Sequence, residues 1–205
     1  MLRASIMIMA MASLAGAQTV DTPWVSLFNG KDLTGWVKVG QEKWEVVDGA
    51  IHGQGISGGY GYLRTEKKYK DFELSVRFRC DADINSGVFF HVDFKPGTAD
   101  VSQGLQFEID TRLNHHTGGI YGDDRQWIVW PAPDLETIVK QGDWNEYVLK
   151  VQANRYIGRL NGVVLVDFTD PTPKSFDGYL ALQLHSGEKG SMSFKDLFIR
   201  DLSKR

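Results

Sequence analysis

Short segments in which apolar and polar residues alternate recur about every ten residues along this chain, a spacing typical of all-β sandwiches. Successive strand residues point to opposite faces, so each segment predicts a β-strand with one buried face. The dipeptides Asp48-Gly49 and Asn161-Gly162 each join two such segments and favour tight hairpin turns. Only residues 134–141 have a pattern that indicates a helix. The chain is therefore predicted to be all-β, a two-sheet antiparallel β-sandwich of the jelly-roll type.

The segment GLQFEIDTR, residues 104–112, is predicted to be a strand with one entirely polar face. Its apolar residues are expected in the core: Leu105, Phe107 and Ile109. Its polar residues share the other face: Gln106, Glu108 and Asp110. Carboxylates two residues apart lie roughly 7 Å apart along a strand, and such a pair of like charges raises one pKa. This pattern favours a general acid or base, with an ordinary solvent-exposed sheet face as the alternative.

Other predicted strands carry polar groups on the face away from the core. In residues 180–185, three leucines alternate with Ala181, Gln183 and His185. In residues 86–93, alternation places Val88, Phe90 and Val92 on one face and Phe89, His91 and Asp93 on the other. Histidines, glutamines, an arginine and carboxylates together are more typical of a site than of a solvated sheet face. One cavity is therefore predicted to collect these side chains: Arg64, His91, Gln106, Glu108, Asp110, Gln183 and His185.

Two motifs that resemble metal sites fail on their details. A calcium loop would begin at Asp81, but Ser86 stands at its sixth position, where glycine is needed, and Val92 at its twelfth, where glutamate is needed. His115 and His116 are adjacent, so on an extended backbone they point in opposite directions and make poor joint ligands.

The ends and the charge of the chain limit its location and its partners. Arg3, the apolar residues 6–14 and the small residues 15–17 are typical of a secretory signal peptide. We expect cleavage after residue 17, one domain over residues 18–205, and a secreted or periplasmic protein. The net charge is -3 and there is no run of Lys or Arg, which argues against nucleic acid and anionic membranes as partners. The only cysteine, Cys80, cannot form an internal disulfide and is expected to be a small buried side chain.

A series of short motifs runs through nearly the whole mature chain in a specific order. They are LFNGKDLTGW (27–36), WEVVDG (44–49), YLRT (62–65), YKDFEL (69–74), NSGVFF (85–90), GLQFEI (104–109), GDWNEY (142–147) and LNG (160–162). In these motifs the chain resembles the 3-keto-disaccharide hydrolase family, formerly a domain of unknown function, with a concanavalin A-like lectin/glucanase sandwich. Two segments depart from the family pattern, Gly119-Ile120-Tyr121 and residues 128–141.

The resemblance implies cleavage of a glycoside that is already oxidised to a ketone at C3. The ketone acidifies the C2 proton, so a base can remove it and expel the C1 substituent, after which water adds. The resemblance also implies a carbohydrate substrate and an upstream glycoside 3-oxidoreductase as a partner. The expected roles are base and acid in either order for Glu108 and His185, and enolate or hydroxyl contacts for Arg64 and His91. The residues expected to orient the substrate are Gln106, Asp110, Tyr121 and Gln183.

Two alternatives concern the chemistry of the same face. No cofactor is expected, although a divalent metal held by His91, Glu108 and His185 is an alternative to Arg64 as the electrophile. Direct hydrolysis of the endoglucanase type is disfavoured, because Arg112 stands where the catalytic strand of laminarinase-like endoglucanases carries a further glutamate.

A third alternative belongs to a different functional class, the non-catalytic carbohydrate-binding module. Such a module would stack a sugar on aromatic rings such as Trp127 and Trp130 and would not need a titratable cluster.

Overall fold

The structure is a computed structural model that describes residues 22–82, 84–122, 124–187 and 189–203, except for the side chain of Ala82. The predicted signal peptide lies outside the described residues, so cleavage and export stay predictions. Within the described ranges, no helix is long and apolar enough to cross a membrane.

The described chain consists almost entirely of short strands. They are Val25–Ser26 (β1), Trp36–Gly40 (β2), Lys43–Val47 (β3), Ala50–Gln54 (β4), Gly61–Tyr69 (β5), Phe72–Ala82 (β6), Asn85–Phe94 (β7), Val101–Asp110 (β8), Ile120–Gly122 (β9), Trp127–Val129 (β10), Asn145–Gln152 (β11), Arg155–Leu160 (β12), Val163–Thr169 (β13), Gly178–Leu184 (β14) and Ser191–Asp201 (β15). A single 3-10 turn, Leu135–Ile138, lies inside the segment predicted to be helical.

The strands form two antiparallel sheets. The back sheet has the order β13-β12-β11-β6-β15-β4-β3, with β1 paired to β15. The front sheet has the order β10-β9-β8-β7-β14-β5-β2. The predicted two-sheet antiparallel sandwich is confirmed.

Alternating apolar side chains from both sheets fill the space between them. On β6 the inward residues Phe72, Leu74, Val76 and Phe78 are almost fully buried, as the alternation predicts. Residues of both sheets belong to one continuous apolar cluster, which also contains the buried Cys80. Burying one large apolar side chain contributes about 1.5–3 kcal/mol, so this cluster is the main force that holds the sheets together.

Both predicted hairpins are present, whereas four strands were not predicted: β1, β2, β9 and β10. The β3–β4 and β12–β13 pairs flank the dipeptides Asp48-Gly49 and Asn161-Gly162. The strands β9 and β10 lie within residues 114–142, which had no strand pattern. Each has only three residues, too few for a clear alternation.

A β-bulge in β7 changes the face on which its later residues lie. Val88 pairs with Leu182 and Phe89 pairs with Ala181. The next residue of β7 that pairs with β14 is Val92, which lies opposite Tyr179. One extra residue is therefore present on β7, and His91 adopts a positive φ of 51°. The predicted alternation holds as far as Phe90 and is wrong at His91 and Val92, whereas Asp93 lines a cavity on the outer face, as predicted.

The bulge places His91 among the core residues and Val92 on the outer face of the front sheet. The His91 ring contacts the rings of Phe72 and Phe90, both in the core. Its Nε2 lies 2.7 Å from the Lys70 carbonyl oxygen. Burial lowers the pKa of His91, which favours a neutral ring.

Candidate active site

A cavity of about 550 Å³ opens on the outer face of the front sheet. Six of the residues predicted for the site line it: Gln106, Glu108, Tyr121, Trp127, Gln183 and His185. They come from β8, β9, β10 and the end of β14, which the antiparallel pairing brings to one side of the sheet.

The register of the central strands puts Gln183 and Glu108 at the same level of the sheet. Gly87 on β7 is the partner of Glu108 on β8, and Leu182 on β14 is the partner of Val88. Gln183 therefore lies on the other side of Gly87 from Glu108. A Cβ at residue 87 would lie 2.8 Å from Gln106 Oε1. Any residue larger than glycine would therefore clash with this amide.

Glu108 is a buried carboxyl, with 2% of its surface exposed. The side-chain amide of Asn85 donates to its Oε1, and Gln106 Nε2 donates to its Oε2 at 2.5 Å. The pKa of Glu108 is raised to about 8, mainly by burial and to a smaller extent by the charge of Asp110. These amide hydrogen bonds favour the carboxylate and lower the pKa, but they do not offset burial.

Asp110, two residues further on, has the opposite electrostatic environment. Burial alone would raise its pKa, but hydrogen bonds and charge from Arg112 hold it below its ordinary value. Arg112 donates to both carboxylate oxygens, from Nε at 2.8 Å and from a terminal nitrogen at 2.5 Å. His115 Nδ1 lies 3.2 Å from the same carboxylate. Asp110 thus faces Arg112 and His115 and does not line the cavity, which corrects its predicted place.

The imidazole of His185 has a defined orientation at the edge of the cavity. Its Nδ1 lies 2.9 Å from the Ser186 carbonyl oxygen. Because a carbonyl only accepts hydrogen bonds, we assign the proton to Nδ1. In the neutral ring Nε2 is then an acceptor, and it lies 3.2 Å from the Tyr60 hydroxyl.

Two residues that sequence analysis did not single out complete this arrangement. The Asn85 side-chain amide donates to Glu108 and, at 3.4 Å, to Asp110, while the Asn85 backbone carbonyl oxygen accepts from the His185 backbone nitrogen at 3.1 Å. Tyr60 belongs to the glycine-rich segment 53–61. The motif NSGVFF was a signal for Asn85, whereas nothing in the local sequence distinguished Tyr60.

Two buried amide oxygens in the cavity wall have no hydrogen-bond partner among the described residues. They are Gln106 Oε1 and Gln183 Oε1. A buried acceptor without a partner costs about 1–3 kcal/mol, and the hydroxyl groups of a bound ligand would remove this cost.

Aromatic rings form the other wall. The Tyr121 and Trp127 rings contact each other with centroids 5.3 Å apart. Trp130 does not line the cavity. It is 51% exposed and stacks on His116, with centroids 5.3 Å apart.

A family model described as 3-keto-alpha-glucoside-1,2-lyase-like domain matches residues 23–200. The chain belongs to this family. A curated relative, the 3-keto-disaccharide hydrolase of Bacteroides thetaiotaomicron, is 32% identical over 77 residues. This match covers 33% of the present chain and 27% of the relative, so the chain spans about a quarter of the relative's length.

Solved structures show the same fold at low sequence identity. A crystal structure of a candidate glycosyl hydrolase from Parabacteroides distasonis has a TM-score of 0.69 and 24% identity, covering 87% of this chain and 94% of that one. The carbohydrate-binding module CBM66 of Bacillus subtilis has a TM-score of 0.62 and 14% identity, covering 82% of this chain and 96% of that one.

Besides Asp110 and Trp130, two further residues predicted for the active site of this 3-keto-alpha-glucoside-1,2-lyase-like domain lie outside the cavity. Arg64 is on the predicted face of the front sheet but lines a neighbouring cavity. The prediction that His91 joins the site is wrong, because the β7 bulge turns its ring into the core.

The position of His91 also affects the metal alternative. The His91 ring lies in the core, whereas Glu108 and His185 line the cavity on the outer face. The three predicted metal ligands therefore do not converge. Over the described part of the chain, no group of three or more His, Cys, Asp or Glu is placed to hold a metal ion.

Proposed function

We propose that this protein cleaves 3-keto-glycosides, with His185 as the base and Glu108 as the acid. The observation that carries the proposal is a buried carboxyl with a pKa raised to about 8 in the same cavity as an imidazole whose Nε2 is an acceptor facing the Tyr60 hydroxyl. Membership of the 3-keto-alpha-glucoside-1,2-lyase-like family and the name of the Bacteroides relative support the same substrate class.

The reaction begins with removal of the C2 proton, which the C3 ketone acidifies. His185 Nε2 takes this proton, and the electron pair forms the C1–C2 double bond as the C1–oxygen bond breaks. The leaving oxygen takes a proton from Glu108. Water then adds across the double bond: its hydroxyl bonds to C1 as Glu108 takes back a proton, and His185, whose proton exchanges with solvent, gives a proton to C2. Both residues regain their starting states, and the net reaction is hydrolysis.

His185 is suited to act as the base because its orientation is fixed. The hydrogen bond from Nδ1 to the Ser186 carbonyl keeps the Nε2 lone pair in the cavity and stabilises the imidazolium after proton transfer. The Tyr60 hydroxyl at Nε2 marks the place where a substrate group would bind.

Glu108 is suited to act as the acid because at pH 7 its carboxyl is mostly protonated. When it gives up the proton, the amides of Asn85 and Gln106 are already positioned to donate to the carboxylate oxygens. Preorganised donors of this kind lower the cost of the charge that develops during the reaction.

Gln106 and Gln183 would hold the sugar through their unpartnered oxygens, and Tyr121 and Trp127 would pack against its ring. Because the substrate carries a ketone at C3, an oxidoreductase acting on glycosides must supply it. The protein is proposed to act with this partner after export.

The test uses a 3-keto-glucoside, its unoxidised parent and solvent D₂O. The 3-keto substrate should be cleaved and the parent should be inert, because only the ketone stabilises charge at C2. Deuterium should appear at C2 of the product. Cleavage without this label would contradict elimination and favour direct hydrolysis.

A non-catalytic sugar-binding module is the second candidate, favoured by the exposed Trp130 ring and the fold shared with CBM66. It predicts binding without turnover, lost on Trp127→Ala or Trp130→Ala and unaffected by Glu108→Gln.

A further inference from the structure

A second cavity, of about 610 Å³, lies beside the first on the same face of the front sheet. We call it the Arg64 cavity, defined by Arg64, Tyr179, Tyr60, Ala99 and Lys95. Tyr60 and Ala99 also line the first cavity, so these two residues form the boundary between the two. A ligand longer than one sugar that is held beside Glu108 would meet this boundary.

The Arg64 guanidinium is fixed in the wall of this cavity. It lies over the Tyr179 ring, 4.0 Å from the centroid, and a terminal nitrogen donates to the Thr65 carbonyl oxygen at 2.9 Å. The first contact is a cation–π interaction and the second sets the plane of the group. The remaining N–H groups keep the fork geometry that binds a carboxylate through two parallel hydrogen bonds.

Two carboxylates near the Arg64 cavity form ion pairs with lysines, although the charge of Arg64 also helps to lower the pKa of Asp93. Asp93 accepts from Lys68 Nζ at 2.7 Å, and Asp100 lies 3.7 Å from Lys95 Nζ. Over the described residues, no carboxylate lies within 4.0 Å of the Arg64 guanidinium. The cavity thus contains a positive charge without a directly bound counterion.

We propose that the Arg64 cavity binds the leaving group of the substrate and selects leaving groups that carry a carboxylate. This inference rests on the proposed function, because it takes the first cavity to hold the 3-keto sugar. The simpler interpretation, in which Arg64 only packs on Tyr179, predicts no preference for charge.

The experiment compares two substrates that differ in charge but hardly in shape, the 4-carboxyphenyl and 4-carbamoylphenyl 3-keto-α-glucosides. The native protein should prefer the carboxylate by about tenfold in kcat/KM, the scale of one charge-assisted hydrogen bond. Arg64→Gln should reduce this preference to about one. Arg64→Lys, which keeps the charge without the fork, should keep part of it and serves if the Gln variant does not fold.

Arg159→Gln is the matched control, because it removes the same charge from an exposed position on β12 of the back sheet. The control should keep the full preference. An absent preference in the native protein, or one that persists in Arg64→Gln, would overturn the proposal.

A binding measurement separates this proposal from the proposed function. Calorimetry with the two unoxidised aryl glucosides repeats the charge comparison without turnover. If the native protein cleaves neither keto substrate but still binds the carboxylate more tightly through Arg64, the anion site stands and the proposed reaction fails. Equal binding of both ligands would instead remove the anion site.

Discussion

At the scale of the residue, Glu108 is the group whose state decides the chemistry of the cavity. The hydrogen bonds from the Asn85 and Gln106 amides stabilise the charged carboxylate, whereas burial favours the neutral acid. Burial has the larger effect on the pKa of Glu108. From the sequence, the pKa of one of the two carboxyls, Glu108 or Asp110, was expected to be raised by the charge of the other. That effect is present but smaller than burial, which depends on the packing of four strands and is not visible in one segment.

The pH dependence of turnover should identify the role of Glu108. If it is the acid, kcat should decrease about tenfold per pH unit above pH 8, as its carboxyl ionises. In Glu108→Gln this alkaline decrease should disappear, and kcat should fall by about 10²-fold or more. The exposed Glu146 provides the control variant Glu146→Gln. A rate that increases through pH 8 would make Glu108 the base.

Residues on regular strands could be placed from sequence because alternation fixes the face. Gln106, Glu108 and Gln183 lie where it predicts. Alternation does not give the position along the sheet, so Arg64 is on the correct face but in the adjacent cavity. Asn85 escaped detection because its contacts depend on the register between β7 and β8.

At the scale of the element, the loop between β4 and β5 controls the position of Tyr60. The buried Glu42 carboxylate accepts hydrogen bonds from the backbone nitrogens of Ile56 and Ser57 and from the Ser57 hydroxyl. These bonds hold the loop at the boundary between the two cavities. The sequence could not predict them, since Glu42 has no pattern that distinguishes it from a surface glutamate.

Glu42→Gln should loosen this loop, because an amide replaces an acceptor oxygen with a donor facing backbone N–H groups. We expect faster proteolysis within residues 55–60 and a severalfold higher KM for the 3-keto substrate. Glu45→Gln, at an exposed residue paired with Lys43, is the control. Unchanged proteolysis in Glu42→Gln would mean that other contacts hold the loop.

At the scale of the whole molecule, Glu108 is linked to both sheets. The Tyr147 hydroxyl on β11 donates to the Glu108 carbonyl oxygen on β8 at 2.6 Å, which joins the back sheet to the front sheet. The fold class was predictable because it depends on many alternating segments, each contributing to one core. A single misplaced residue such as His91 does not change that result.

The stability of the molecule should depend on pH through Glu108. Its pKa is about 8 when folded and near its ordinary value of 4.5 when unfolded. Between these values the folded state binds more protons, so this group makes the free energy of unfolding fall as pH rises, by up to about 1.4 kcal/mol per pH unit. Urea unfolding from pH 5 to pH 9 should show this slope in the native protein, and a flatter curve in Glu108→Gln. A constant difference between the two proteins would contradict the raised pKa.

The bulge in β7 also affects how relatives of this protein should be aligned. Up to Phe90 the even-numbered residues of the strand point inward, whereas beyond it Val92 and Phe94 pack on the outer face against Tyr62. A relative that lacks one residue here would place the residues that correspond to His91 and Val92 on the opposite faces of the sheet. An alignment that ignores this one-residue difference would match residues of the core with residues of the outer face. Ligand specificity inferred from such an alignment would then be assigned to residues on the wrong side of the sheet.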